Sequence, residues 1–298
     1  MTLLQLVQQA ANEMGLSAPN YVTGNNAADP AQMLALINGL GNELRTEMQW
    51  QALVKPYRFT TAYTQTTGNV TTGSPVITGI PSTAGLTTDY MASGTGIQND
   101  NYILSVDSPT QVTLTNAIQA TATGETITFG QVKYAMPSDY DTIIDRTGYD
   151  KSKKWQMLGP ETAQEWEFLK SSYISTGPRL RWRILGGKFE IWPMMSTAEY
   201  LGFEYLSNGW VTSSAGVSKS AFTADDDTCI FPDRLMVIGL KKKYFEVKGF
   251  DPTMYQREFM RYLSIAKADD QGSATLSFSP RASEVLVGYE NIPDTFQW

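Results

Sequence analysis

The sequence predicts an α+β protein: a helical core with a β-hairpin and a small sheet, interrupted by an inserted Thr-rich all-β module of sandwich or barrel type. Three observations carry this. Apolar residues recur at helical spacing near the N-terminus and again over 232–266. The stretch RLRWRILGGKFEIWP (179–193) reads as two alternating strands around Gly186-Gly187, a pair suited to positive-φ turn positions. Composition also changes abruptly after Arg58: residues 61–130 hold eighteen Thr and five Ser, no Lys or Arg, and only Asp89, Asp100, Asp107 and Glu125 as charges. The expected organisation is a core of 1–58 and 133–272, an inserted β module of 59–132, and an extended C-terminal tail of 273–298.

The first helix follows Thr2 as N-cap, with Leu3, Leu6, Val7, Ala10 and Met14 inward and Gly15 as its stop. Loop residues over 16–28 lead to a second helix, opened by Asp29 as cap with Pro30 in the first turn. Its stripe is Met33, Leu36, Ile37, Leu40, Leu44 and Met48, with Trp50 at the end. Gly39 and Gly41 lie within this helix, where glycine costs about 1 kcal/mol relative to alanine, so a close packing partner is expected there.

In the module, SPVITGI (74–80), NYILSVD (101–107), QVTLTNA (111–117) and ETITFG (125–130) alternate at period two between turn residues. Beyond it, a short helix is expected from Gly159-Pro160-Glu161 to about Ser172, with Trp166, Leu169 and Tyr173 on one side. The hairpin follows, and AEYLGFEYLSN (198–208) supplies a third strand. A half-exposed helix from about Pro232 to Lys248 turns Leu235, Ile238, Tyr244 and Phe245 inward and closes at Gly249. Asp251-Pro252 opens the last helix, with Met254, Tyr255, Phe259, Tyr262, Leu263 and Ala266 as its apolar stripe.

Composition excludes much chemistry. Among 298 residues there is no histidine and a single cysteine, Cys229. Histidine-dependent triads, His-ligated zinc sites and dithiol redox pairs therefore have no residues to use. No phosphate-binding glycine loop is present, and no cofactor is expected. The balance of 23 basic against 30 acidic residues gives a net charge of −7. Such a chain lacks the electrostatic footprint of non-specific DNA binding unless its charge is sharply segregated. The N-terminus lacks the basic n-region of a signal peptide, and no apolar run is long enough to span a membrane, so no membrane partner is expected.

Several groups are weighed as sites. Asp225-Asp226-Asp227 fails the spacing of a calcium loop and is expected to be a solvated turn before a helix. Lys241-Lys242-Lys243 lie about 100° apart on a helix and cannot form one stripe. Arg179, Arg181 and Arg183 alternate onto one strand face, where they would line a channel, bind carboxylates of an adjacent subunit, or remain solvated. Cys229 reads as a small core hydrophobe. Glu165 and Glu167 face different ways, and no catalytic pair stands out. The tail carries Leu276, Phe278, Leu286, Tyr289, Phe296 and Trp298, many apolar side chains for a segment with no pattern of its own. It either folds back on its own core or docks in a partner's groove.

The ordered pieces ELRTEMQWQALV (43–54), MPSDYDTIID (136–145), LGPETAQEWEFL (158–169), GGKFEIWPM (186–194), EYLSNGWV (204–211) and FTADDDTCIFPDRLMVIGLKKKYFEVKG (222–249) resemble the head-to-tail adaptor proteins of short-tailed bacteriophages. The resemblance spans nearly the whole chain apart from the Thr-rich insert. It implies a non-enzymatic virion structural protein, made in the host cytoplasm and placed at the head–tail interface. Its copies would form a ring, typically of twelve, between the portal protein and the tail nozzle or tail fibre proteins. That ring extends a channel for passing genomic DNA without sequence-specific binding. The insert would sit outside the ring, and the apolar tail would reach the portal. Two other readings are a tail accessory protein whose β module binds a receptor or glycan and, more remotely, a carboxylate-dependent hydrolase.

Overall fold

The computed structural model describes residues 1–171 and 179–271. The chain opens with α1 (Leu3–Glu13) and α2 (Ala28–Glu47), then enters β1 (Val54–Thr60). The Thr-rich segment supplies β2 (Tyr63–Val70), β3 (Val76–Ile77), β4 (Tyr90–Ser93), β5 (Ile103–Ser108), β6 (Gln111–Leu114) and β7 (Ala122–Gln131). Next come β8 (Lys133–Ala135), β9 (Tyr140–Ile143), β10 (Tyr149–Asp150), β11 (Trp155–Gln156) and α3 (Ala163–Lys170). The hairpin is β12 (Arg181–Leu185) and β13 (Lys188–Trp192), followed by β14 (Tyr200–Ser207). Short strands β15 (Val211–Thr212), β16 (Ser218–Lys219) and β17 (Thr228–Cys229) precede α4 (Asp233–Lys248) and α5 (Thr253–Gln271). Helices and antiparallel sheets together make the chain α+β. No helix among the described residues is long and apolar enough to cross a membrane.

Local chemistry sets the helix ends. Thr2 and Gln5 form a reciprocal capping box on α1, and Gly15 stands at φ +72° just past its end. Thr162 and Glu165 form a second box on α3. Gly249 closes α4 in the left-handed region at φ +78°. Asp29 does not cap α2: Ala27 holds that position without a side-chain bond. The Asp29 carboxylate instead accepts from the Tyr244 hydroxyl (2.9 Å) and the Lys248 ammonium (3.2 Å), tying the start of α2 to the end of α4.

Helices α1, α2, α4 and α5 share one apolar cluster with Trp50, Trp210, Phe222 and Phe231, whereas α3 packs its Trp166 and Leu169 into a second one. In it α4 is central, not half-exposed: every residue from Leu235 to Lys241 is buried. An unbroken run of apolar and small residues leaves a helix no wet face, and α1, α2 and α5 all pack on it. On α5, Tyr255, Phe259, Tyr262, Leu263 and Ala266 face inward or are half-buried, whereas Met254 is 73% exposed. Met254 stands one position, about 100°, off the inward face.

A second cluster lies between two sheets. In one, β14 pairs with β1, β10 and β9; in the other, β13 sits between β12 and β8. The 198–208 strand therefore does not extend the hairpin sheet, whose third strand is β8. Phe189 of the hairpin stacks on Phe203 of β14 (4.9 Å between ring centres) and on Trp182 (5.3 Å). Alternation predicted both strands, but pairing depends on which faces meet, and these aromatic faces put the strands in opposing sheets. Gly186 and Gly187 stand at φ +59° and +72°, as a tight hairpin turn requires.

The Thr-rich segment forms two three-stranded antiparallel sheets, β2-β7-β4 and β3-β6-β5, around Ile77, Val112, Ile127 and Phe129. Its ends meet: the Gln131 N–H donates to the Ala62 carbonyl (2.8 Å).

Acidic residues clasp these parts. Glu13 receives Lys241 and Arg234, and Asp139 receives Lys55, Tyr205 and Ser207. Burial opposes both charges, but these donors and cations outweigh it and hold each carboxyl at about 2. Because the folded values are depressed, their contribution is full above the unfolded values near 4 and is lost as pH falls toward 2. Thermal melts are expected to hold steady from pH 7 to about 5 and to fall steeply below about 4.5. A melting temperature unchanged down to about pH 2.5 would contradict these pairings.

Candidate assembly surface

The acidic triplet is a structural clasp. Asp225 accepts from the backbone N–H groups of Val22 (3.1 Å) and Thr23 (2.8 Å) and from the Thr23 hydroxyl (2.9 Å). Asp227 is fully buried and takes the Lys219 ammonium (2.8 Å) with the N–H groups of Thr223 and Ala224 (both 2.9 Å). Burial opposes both charges, but these donors hold both carboxyls below the ordinary range. The expected solvated turn is thus partly interior, because backbone donors and one lysine replace water there. Among the described residues no group of three or more possible metal ligands gathers. Burial pushes the Cys229 thiol up to about 11, so it is a packed thiol and not a nucleophile.

The lysine triplet radiates as the helical angle dictates. Lys241 reaches Glu13 on α1 (2.8 Å), Lys243 reaches Glu43 on α2 (2.6 Å), and Lys242 lies over the Phe259 ring of α5 (5.1 Å). Each tethers a different neighbour of α4, so the triplet is internal bracing.

Of the arginine row, Arg181 and Arg183 lie on β12 and Arg179 stands exposed just before it. Arg181 pairs with Glu161 (2.5 Å). Arg183 donates from Nε to Glu190 (2.7 Å), its direct cross-strand neighbour, and lies over the Trp166 ring (4.5 Å). The carboxylates that hold Arg181 and Arg183 belong to the same chain.

Glu190, only 1% exposed, was not singled out by sequence, yet it organises the junction between the Thr-rich segment and the hairpin. Its other oxygen accepts from the Tyr102 hydroxyl of the insert (2.9 Å). Burial, with the Glu190 charge behind it, drives the Tyr102 phenol upward and keeps it protonated. Lys133 and Lys170 approach the Tyr102 ring (4.6 and 4.9 Å), and Lys188 binds Asp89 (2.6 Å). The only signal available in sequence was an acid alternating with apolar residues on a buried strand. Of the insert aromatics Tyr63, Tyr90, Tyr102 and Phe129, only Tyr63 is openly exposed, at 42%.

Exposed large apolar side chains are spread over the surface, among them Leu104, Phe168, Leu185 and Val217, and a group of them lies on or beside the last two helices. Val247, Phe250 and Met254 are exposed around the α4–α5 corner, and Met260 and Ile265 along α5. Near the other end of α5, a cavity of about 250 Å³ is walled by Trp50, Ile230, Phe231, Pro232 and Ala266, with Asp269 and Asp270 at its edge. Asp270 accepts the N–H groups of Gln51 (2.7 Å) and Ala52 (3.3 Å), which pins this end of α5 beside the cavity. From there the chain continues into the tail. The tail positions Leu276, Phe278, Leu286, Tyr289, Phe296 and Trp298, and Tyr173 of the expected third-helix stripe, lie outside the described residues. The chain matches no protein-family model and no curated protein sequence.

Proposed function

We propose that the protein is a head-to-tail adaptor of a short-tailed bacteriophage, a non-enzymatic virion component. Twelve copies form a ring between the portal protein and the tail nozzle or fibres and extend the DNA channel. In this reading the helices act as the bundle on which the ring is built, and the Thr-rich segment is a β-sandwich on its outside. The observation that carries the reading is the group of exposed apolar side chains at the α4–α5 corner, Val247, Phe250 and Met254, together with the apolar tail that follows α5 in sequence. Exposed apolar groups gathered at one corner mark a protein contact. An unpatterned apolar tail gains its ordering energy on a partner's surface.

The test is native mass of the full chain alone, mixed with the portal protein of the same genome, and after truncation following Gly272. The expected result is a monomer alone, a ring with portal, and no ring after truncation. A full-length chain that stays monomeric with portal present would overturn the reading.

A further inference from the structure

Three neighbouring strands of the large sheet, β1, β14 and β10, carry a second feature, unrelated to the apolar corner. Gly202 on β14 pairs directly with Arg58 on β1 and with Tyr149 on β10. Direct partners place their side chains on the same face of a sheet, so the glycine leaves a gap between the arginine and the phenol. Lys151, just after β10, leans into that gap. A Cβ on Gly202 would stand 3.0 Å from Lys151 Cε and 3.2 Å from Arg58 Cγ. The result is a cleft of about 300 Å³, which Arg146 and Glu204 also line.

The charge balance in this cleft is unusual for the molecule. Most Lys and Arg side chains of this acidic chain hold a carboxylate of the same chain within 4.0 Å. Among the described residues Arg58 and Lys151 hold none, although they converge on one glycine and Glu204 stands nearby; Arg146 has a partner of its own. Two like charges brought together without a counterion repel each other. Leaving out Arg146, which already has a partner, Arg58 and Lys151 outnumber the Glu204 carboxylate by one positive charge, enough for one anionic oxygen of a phosphate. A guanidinium presents paired donors that suit phosphate oxygens, and an ammonium adds a point charge.

We propose that the cleft over Gly202 is a phosphate-binding site, with Arg58 and Lys151 as its principal cations, taking either free phosphate or the phosphodiester backbone of a single strand. The net charge of −7 repels a polyanion at long range, so binding is local and strongly salt-dependent. The site belongs to one chain and does not depend on ring formation.

The experiment uses the full-length protein at about 50 mM salt, where phosphate contacts are strong. It is titrated with inorganic phosphate, with a labelled oligothymidylate, and with a Glu-rich peptide. Arg58→Gln with Lys151→Gln is expected to weaken phosphate or oligonucleotide binding at least tenfold, and Glu204→Gln to tighten it several-fold. All three side chains are exposed, and an unchanged melting temperature confirms that the variants fold. Binding of phosphate alone identifies free phosphate as the source. Oligonucleotide binding that phosphate displaces identifies the phosphodiester, and the double variant then flattens the salt slope by about 1.4. No binding by either anion, equal binding by the double variant, or tighter binding of the peptide would overturn the proposal.

Discussion

Gly41→Ala is expected to destabilise the protein by about 3 kcal/mol, the upper part of the range for overpacking a core. A Cβ at this position would overlap three atoms of the Trp210 ring. That ring cannot move away: it is fully buried, stands edge-on to Phe222 (5.2 Å), lies near Phe231 (5.9 Å), and donates from its indole N–H to Asn42 (3.2 Å). Two residues earlier, Gly39 is exposed, and a methyl group added there would meet nothing within 4 Å. Gly39→Ala is therefore expected to stabilise by up to about 1 kcal/mol through helix propensity alone. Urea unfolding of the two variants gives the comparison. Effects of the same sign would show that Trp210 does not seat against α2 as described.

Glu190→Ala is expected to cost about 3–5 kcal/mol, the range for breaking a buried ion pair by removing one partner. The substitution leaves the Arg183 guanidinium, 13% exposed, without its carboxylate, and the Tyr102 hydroxyl without its acceptor. Tyr102→Phe removes only the hydroxyl and is expected to cost about 1 kcal/mol. Because both contacts end on one carboxylate, the double variant should cost clearly less than the two single effects combined. Hydrogen exchange adds a spatial readout. Amides of β4 and β5 on the insert side should lose protection in Glu190→Ala before those of α4 do. Loss of less than about 1 kcal/mol in Glu190→Ala would mean that the junction is solvated and its charges screened.

Much of the local structure was legible. The Thr2 cap, Gly15, Gly249 and the Gly186-Gly187 turn were readable because each rests on a short-range rule of backbone geometry. The three lysines on α4 were readable as a non-stripe for the same reason, since helical angle needs no partner to be known. The close approach at Gly41 was half-readable: two glycines in a helix interior flagged a neighbour, but only Trp210, far along the chain, chose between them.

The sequence by itself determined the α+β class, both ends of α1, the close of α4, the hairpin and the change of character at the Thr-rich segment, because these follow from spacing, turn chemistry and composition over a few residues. Tertiary structure alone decided the rest. It made α4 the central helix, sent β14 to a different sheet from the hairpin, and turned Asp225 into a clasp for the loop at Val22-Thr23. It also gave Arg183 and Tyr102 one shared carboxylate, and left Arg58 and Lys151 together over Gly202. Most of these outcomes join side chains tens to hundreds of residues apart. Pattern along a strand or helix states which face is apolar or charged, whereas the identity of the opposing face is set by packing the whole chain into one interior.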